Sequence, residues 1–344
     1  MKFGWRQCLG WFAGNRAMPL LGVDLAAAGI SIVELSRLNE GWRVEHFSRR
    51  ALPSGAIREG SIVNADQVAD VLSETLRECG SHTRHAALAL PSGLVIKKML
   101  SFPNDLSDDE LALQVDTDAA QNLPFALDEL SLDFSIIGPS LTMPESVDVM
   151  LVAARREKIA ERLTLAQSVG LEPVIVDVES QALMAAVAVH AAQQEEQASG
   201  CSALLQVGRD VSQFSVFSKK ALIFERELSV GLHKLEQASH RYPEQALAAL
   251  EAFHALVCQE IRRAQQLYAT TAEQTEIGRI FIAGPAEKLA RLPEAMLERL
   301  KIKALFANPF AGMANSAAVD RQALHAEASA CLIACGLAMC RVTS

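Results

Sequence analysis

The apolar and polar positions of the chain fall into two blocks of the same form, one in each half. Residues 20–26 are an apolar run, Ala27-Ala28-Gly29 is a run of small residues, and residues 30–35 read as a returning strand. Residues 203–208 repeat the apolar run, Arg209-Asp210-Val211 turns, and residues 212–217 alternate as a half-buried strand does. A strand, a tight turn and a returning strand, used once per half, predict two related lobes facing one cleft.

Around these hairpins the pattern predicts strands over residues 42–52, 86–90, 94–102, 130–137, 148–154, 173–178, 222–228, 280–285 and 302–306. A helix starts at Asn64, with Val68, Val71, Leu72 and Leu76 on one face. Ser107 and Glu110 have the spacing of a capping box and open a helix to about Asn122. Helix-dipole complementarity then explains the acidic cluster of Asp105, Asp108, Asp109 and Glu110 without catalysis. Further helices are expected over 156–170, 179–190, 232–240, 244–270 and 323–340. Strands followed by helices in both halves give an α/β class with helix-covered sheets. Residues 192–200 are polar and patternless and read as the junction between lobes.

Composition narrows the function classes. The 344 residues suggest two or three domains, and 50% hydrophobic content is enough for a sizeable core. The net charge of −9 and the lack of a Lys/Arg stripe exclude a nucleic-acid partner. Seven cysteines, an odd number without paired spacing, argue against a disulfide framework and for a reducing cytoplasm. Cys331 and Cys335 with His325 could form a metal face, but no CxxC pair completes it, and small core residues are the simpler reading. Phe3, Trp5, Leu9, Trp11 and Phe12 are interrupted by Gln7, Gly10 and Gly14, so no signal peptide is expected. That segment reads either as a loose lead-in or as a short amphipathic contact with a membrane. No apolar run approaches the roughly 18 residues of a spanning helix.

Several stretches, taken in order, resemble one family. They are Leu21-Gly22-Val23-Asp24-Leu25, Leu123-Pro124-Phe125 with Asp128-Glu129-Leu130, and Val149-Met150-Leu151-Val152-Ala153-Ala154-Arg155. Gly170-Leu171-Glu172-Pro173, Val176-Asp177-Val178-Glu179, Glu260-Ile261-Arg262-Arg263 and Asn308-Pro309-Phe310 complete the series. Together they resemble the PilM proteins of type IV pilus biogenesis, cytoplasmic actin-like relatives of the cell-division protein FtsA. The resemblance implies an actin-like (ribonuclease H-like), two-lobed ATPase fold with an FtsA/PilM-type extra subdomain. Residues 1–18 would be a lead-in, 19–54 and 146–195 the first lobe, and 55–145 an inserted α+β subdomain. Residues 200–230 and 276–344 would form the second lobe, and 231–275 a helical insertion. The resemblance also implies a place under the inner membrane, contact with other pilus platform proteins, and a groove for the N-terminal peptide of a PilN-like membrane protein. Self-association, common among actin-like folds, is left open.

The same resemblance implies ATP and Mg²⁺ between the lobes, and this chain departs from the expected site. The first phosphate turn is Ala26-Ala27-Ala28-Gly29, and Ser31 stands where a Lys commonly follows. Asp24 either orients a magnesium-bound water or stabilises the turn. Gln206 stands where a carboxylate is expected before Gly208, leaving Arg209 and Asp210 to offer backbone donors. The strand after this hairpin breaks at Gly231, another expected cofactor-side position. The adenosine-side turn keeps one glycine, Gly284, followed by Pro285, which has no N–H. Glu260 and Arg263 match positions that line the base and ribose, or are an i,i+3 ion pair. Glu179 would face the γ-phosphate as a base, or serve as a helix N-terminal carboxylate. With three elements weakened together, the expectation is a scaffold with a very slow ATPase or none. An active actin-fold ATPase or kinase is the alternative.

Overall fold

Leu21, Val23 and Leu25 are buried on strand β1 (Leu21–Ala26), and so are Gly22 and Asp24 between them, so this strand is covered on both faces. Such a strand belongs in the middle of a sheet. The computed structural model describes residues 18–38, 41–140, 143–192, 201–218, 221–241, 246–270 and 275–340. The expected lead-in, apart from Met18, and nearly all of the expected junction at 192–200 lie outside the described residues.

β1 turns back as β2 (Gly29–Arg37), and β3 (Trp42–Ala51) continues the antiparallel meander. A small hairpin, β4 (Ile57–Arg58) and β5 (Ser61–Ile62), leads to α1 (Ala65–Cys79). The Asn64 side chain accepts from the Gln67 N–H at 3.1 Å, an N-cap worth about 1 kcal/mol. β6 (His85–Leu90) then lies parallel to β1. β7 (Val95–Pro103), α2 (Asp108–Asn122), β8 (Leu130–Pro139) and β9 (Ser146–Arg155) follow, and their strands form a separate sheet in the order β7-β9-β8. The expected capping box is present at Ser107 and Glu110. α3 (Arg156–Ser168) returns the chain to β10 (Glu172–Val178), which is parallel to β6, and α4 (Glu179–Ala192).

The second half repeats the plan. β11 (Cys201–Val207), β12 (Ser212–Ser218) and β13 (Ala221–Leu228) form a meander, followed by α5 (Leu232–Arg241) and α6 (Ala246–Tyr268). β14 (Ile277–Ala283), α7 (Leu292–Leu300) and β15 (Lys303–Phe306) add two parallel strands. The sheets share one order: β3-β2-β1-β6-β10 in the first and β13-β12-β11-β14-β15 in the second. The two related lobes predicted from the hairpins are therefore present.

Three expected boundaries move. The segment expected to open the extra subdomain at residue 55 instead supplies α1 and β6 to the first lobe, because β6 is hydrogen-bonded between β1 and β10. The separate three-stranded sheet begins at Val95 and runs to Arg155. The described residues of the segment 231–275, expected as a helical insertion, pack into the second lobe's own core. Phe253, Val257, Ile261 and Tyr268 of α6 join Leu205, Phe214 and Ile280 of the sheet.

The last correction concerns residues 314–338. β16 (Ala314–Asn315) pairs with β3, and α8 (Arg321–Glu327) and α9 (Leu332–Ala338) follow where one helix over 323–340 was expected. A 3₁₀ turn at Ala328–Ala330 breaks that helix. α9 packs on β1, β2 and α4, with Cys331, Ala334 and Cys335 against Val33 and Val44. These residues thus complete the first lobe rather than the second. Cys331 and Cys335 are buried core residues, and no metal-holding group of three His, Cys, Asp or Glu occurs among the described residues. α4 and α9 lie where the lobes meet, with Leu183, Val187, Leu332 and Leu337 against Leu204 and Phe281 of the second sheet.

Candidate functional site

Both hairpin turns line one cleft of about 720 Å³ between the lobes. It brings together Asp24, Ala26, Ala27, Ala28, Ser31 and Glu179 of the first lobe. Gly208, Arg209, Asp210, Gly284 and Pro285 face them from the second, with Gln206 beside them. Gly231 does not line it. Its backbone sits under the second turn, where a Cβ would lie 2.4 Å from the Arg209 carbonyl oxygen. Glu260 and Arg263 do not line it either. They pair with each other at 2.6 Å on α6, which is the i,i+3 alternative.

The floor of the cleft holds a buried charge group. Asp24 is 4% exposed, and its carboxyl is pushed up to about 8, first by desolvation and then by the Glu179 charge. Arg162 and Arg49 pull in the opposite direction. Burial also raises Glu179, the first residue of α4, against the pull of Arg162. Arg162 on α3 is fully buried. Its Nε donates to the Ala89 carbonyl and its Nη2 to the Gly60 carbonyl, both at 2.9 Å. Its Nη1 has no hydrogen-bond partner among the described residues.

The second turn is tied from several sides. The Leu232 N–H donates to the Gly208 carbonyl at 3.0 Å and the His233 N–H to the Arg209 carbonyl at 2.8 Å, seating α5 beneath the turn. The Arg209 guanidinium pairs with Glu236 at 3.2 Å and crosses between lobes to the Ser54 hydroxyl at 2.5 Å. At the adenosine-side turn, Gly284 takes a φ of +135°, which favours glycine. Its N–H donates to the Ser329 carbonyl at 2.8 Å and its carbonyl accepts from the Ser329 hydroxyl at 2.6 Å. The N–H of Gly284 is therefore already engaged, and Pro285 has none to offer.

The chemistry of these donors does not fit a resident Mg²⁺. Mg²⁺ keeps several of its waters and takes one or two ionised carboxylates besides substrate phosphates. Here one carboxyl is desolvated beside a second, two guanidinium groups act on them, and the opposite turn presents the neutral amide of Gln206.

The family model described as type IV pilus assembly protein PilM matches residues 22–249 and 236–342. The chain belongs to the PilM family of type IV pilus assembly proteins. Among solved structures, this PilM family member is similar to a chain of a PilM–PilN type IV pilus biogenesis complex. That match has a TM-score of 0.78 and 22% identity over 94% of this chain and 98% of the other. It is also similar to the ethanolamine utilization protein EutJ from Carboxydothermus hydrogenoformans, with a TM-score of 0.52 and 12% identity over 95% and 91% of the two chains. At these identities the likeness concerns the fold, which is actin-like.

Sequence reasoning on this PilM family member missed Arg49 and Arg162. Arg162 carried a readable signal. It shares the buried face of α3 with Ile159, Leu165 and Ala166, so a charge stood at an apolar position. Arg49 carried none, because its place depends on strand register. Among the described residues no helix is long and apolar enough to cross a membrane.

Proposed function

We propose that this PilM family member is an assembly scaffold that binds the N-terminal tail of a PilN-like membrane protein and keeps a nucleotide cleft with little or no turnover. The observation that carries the reading is the near-full-length match to a chain of a PilM–PilN complex. The separate sheet supports it: β8 is an edge strand with Ile136 and Ile137 exposed, and edges of this kind accept extended peptides. In this reading the protein is cytoplasmic and held at the inner membrane through its partners, including further platform proteins. Self-association is an additional property for the same scaffold to be tested.

The cleft part of the reading rests on the engaged Gly284, on Pro285 and on Gln206. Nucleotide binding without Mg²⁺ is compatible with those groups, and fast hydrolysis is not. The experiment is calorimetric titration of the full chain with a synthetic peptide of the PilN-like partner's first residues. Saturable one-to-one binding is expected, and absence of heat with the correct partner overturns the scaffold. Phosphate release at the rate of a working ATPase overturns the cleft reading.

A further inference from the structure

The register of the first meander sets three chemically different side chains in one row. Asp24 on β1 pairs with Ser31 on β2, and Ser31 pairs with Arg49 on β3. Residues directly opposite in a sheet share a face, and all three line the cleft. The row therefore runs carboxyl, hydroxyl, guanidinium across the cleft wall, beside the small-residue turn at Ala27 and Ala28.

Among the described residues Arg49 has one side-chain partner, so part of its donor fork is unused. Its side chain is 11% exposed, and Nη1 bonds Glu327 Oε2 of α8 at 2.9 Å. A guanidinium carries five N–H donors in a planar fork, and that fork matches phosphate oxygens two at a time. Glu327 does not line the cleft, so it steadies the fork from outside while competing for its charge.

We propose that Arg49 receives a phosphoryl oxygen of a nucleotide bound in this cleft, so that a fixed guanidinium takes the place of a divalent ion. The inference rests on the nucleotide-binding part of the reading above. It follows from the metal-unfit donor set and from the row that brings Arg49 to the wall where the phosphate turn ends. Glu327 sets the strength of the contact, because an anion arriving from the cleft draws on the same fork.

The test is calorimetric titration of the full chain with ADP and with ATP, in excess EDTA and in excess magnesium. Wild-type affinity should agree within about threefold between the two conditions. Arg49→Gln should weaken binding at least about tenfold, with Arg49→Lys in between. Glu327→Gln should tighten binding by a few-fold, an effect a merely structural role of the pair does not produce. Loss of binding in EDTA, or full affinity in Arg49→Gln, overturns the proposal. Should Arg49→Gln fail to fold by circular dichroism, unchanged or weaker binding in Glu327→Gln overturns it on its own. If wild type binds neither nucleotide while the partner peptide still binds, the cleft proposal falls and the scaffold stands.

Discussion

Lys97 Nζ lies 2.7 Å from Glu225 Oε2 and 2.7 Å from Ser180 Oγ, joining the separate three-stranded sheet, the second lobe and the start of α4 at one point. Both charged side chains are 19% exposed, and Glu225 Oε1 is buried with no hydrogen-bond partner among the described residues. Breaking such a pair from one side strands the other charge. Lys97→Met should therefore cost about 2 kcal/mol, and Lys97→Met with Glu225→Leu should recover most of it. A double-mutant cycle by urea denaturation measures the coupling. A cycle energy near zero would show that the three parts are not joined there.

Arg209 makes the comparable tie across the cleft, to Ser54 and Glu236. Lys288 also pairs with Glu236, at 2.7 Å, so the carboxylate keeps a partner when Arg209 is removed. Arg209→Ala should then cost no more than about 1 kcal/mol in global stability. It should nevertheless speed amide hydrogen exchange at residues 209–211 and around Ser54. Unchanged exchange at both places would mean that the lobes are held together elsewhere.

Asp24 makes stability depend on pH in a defined direction. Its carboxyl moves from 3.8 to about 8 on folding, so between those values the folded chain keeps a proton that the unfolded chain releases. The contribution is complete below the lower value and lost as pH rises through the upper one. Stability should fall with pH by no more than about 1.4 kcal/mol per unit from this group. Glu179, also raised, acts in the same direction. Asp24→Asn should flatten the fall between about pH 5 and pH 8, read from urea midpoints at the two ends. An equal fall in both proteins would place the proton elsewhere.

The contact between α9 and α4 has no room for a methyl group. A Cβ on Gly336 would lie 1.9 Å from the Ala182 carbonyl oxygen, and one on Gly22 would lie 1.9 Å from that of Ala334. Backbone cannot yield as a flexible side chain does, so Gly336→Ala should cost more than about 3 kcal/mol or prevent folding. Gly93→Ala, where a Cβ meets nothing within 4 Å, is the matched control and should stay close to wild type in thermal melting. A Gly336→Ala protein as stable as that control would contradict the packing.

What could be read from the sequence was local. The hairpins, the capping box and the buried strands each declare themselves within a dozen residues, through period, small turn residues and caps. Partnership between distant segments does not. His85–Leu90 is apolar like any inner strand, and only its hydrogen bonds to β1 and β10 assign it to the first lobe instead of the extra subdomain. The periodicity over 323–340 hid the break at Ala328–Ala330, since Ala and Ser interrupt no apolar pattern. At the site, both turns, Asp24 and Glu179 were legible from position along their strands. Arg49 was not, because it enters the cleft by lying two strands away from Asp24 in the same row. Glu260 and Arg263 carried the right chemistry, but they satisfy each other on α6 and do not line the cleft.

β3 receives its outer neighbour, and β1 and β2 the helical cover of one face, from residues 314–338. On the ribosome the first meander must therefore wait, with Val33 and Val44 uncovered, until the whole second lobe has been synthesised. Separate expression of the two halves would yield one piece with a bare apolar sheet and another trailing an orphan helix. Co-expression of residues 314–338 with the first half, joined by a linker, is the arrangement that should make that half soluble.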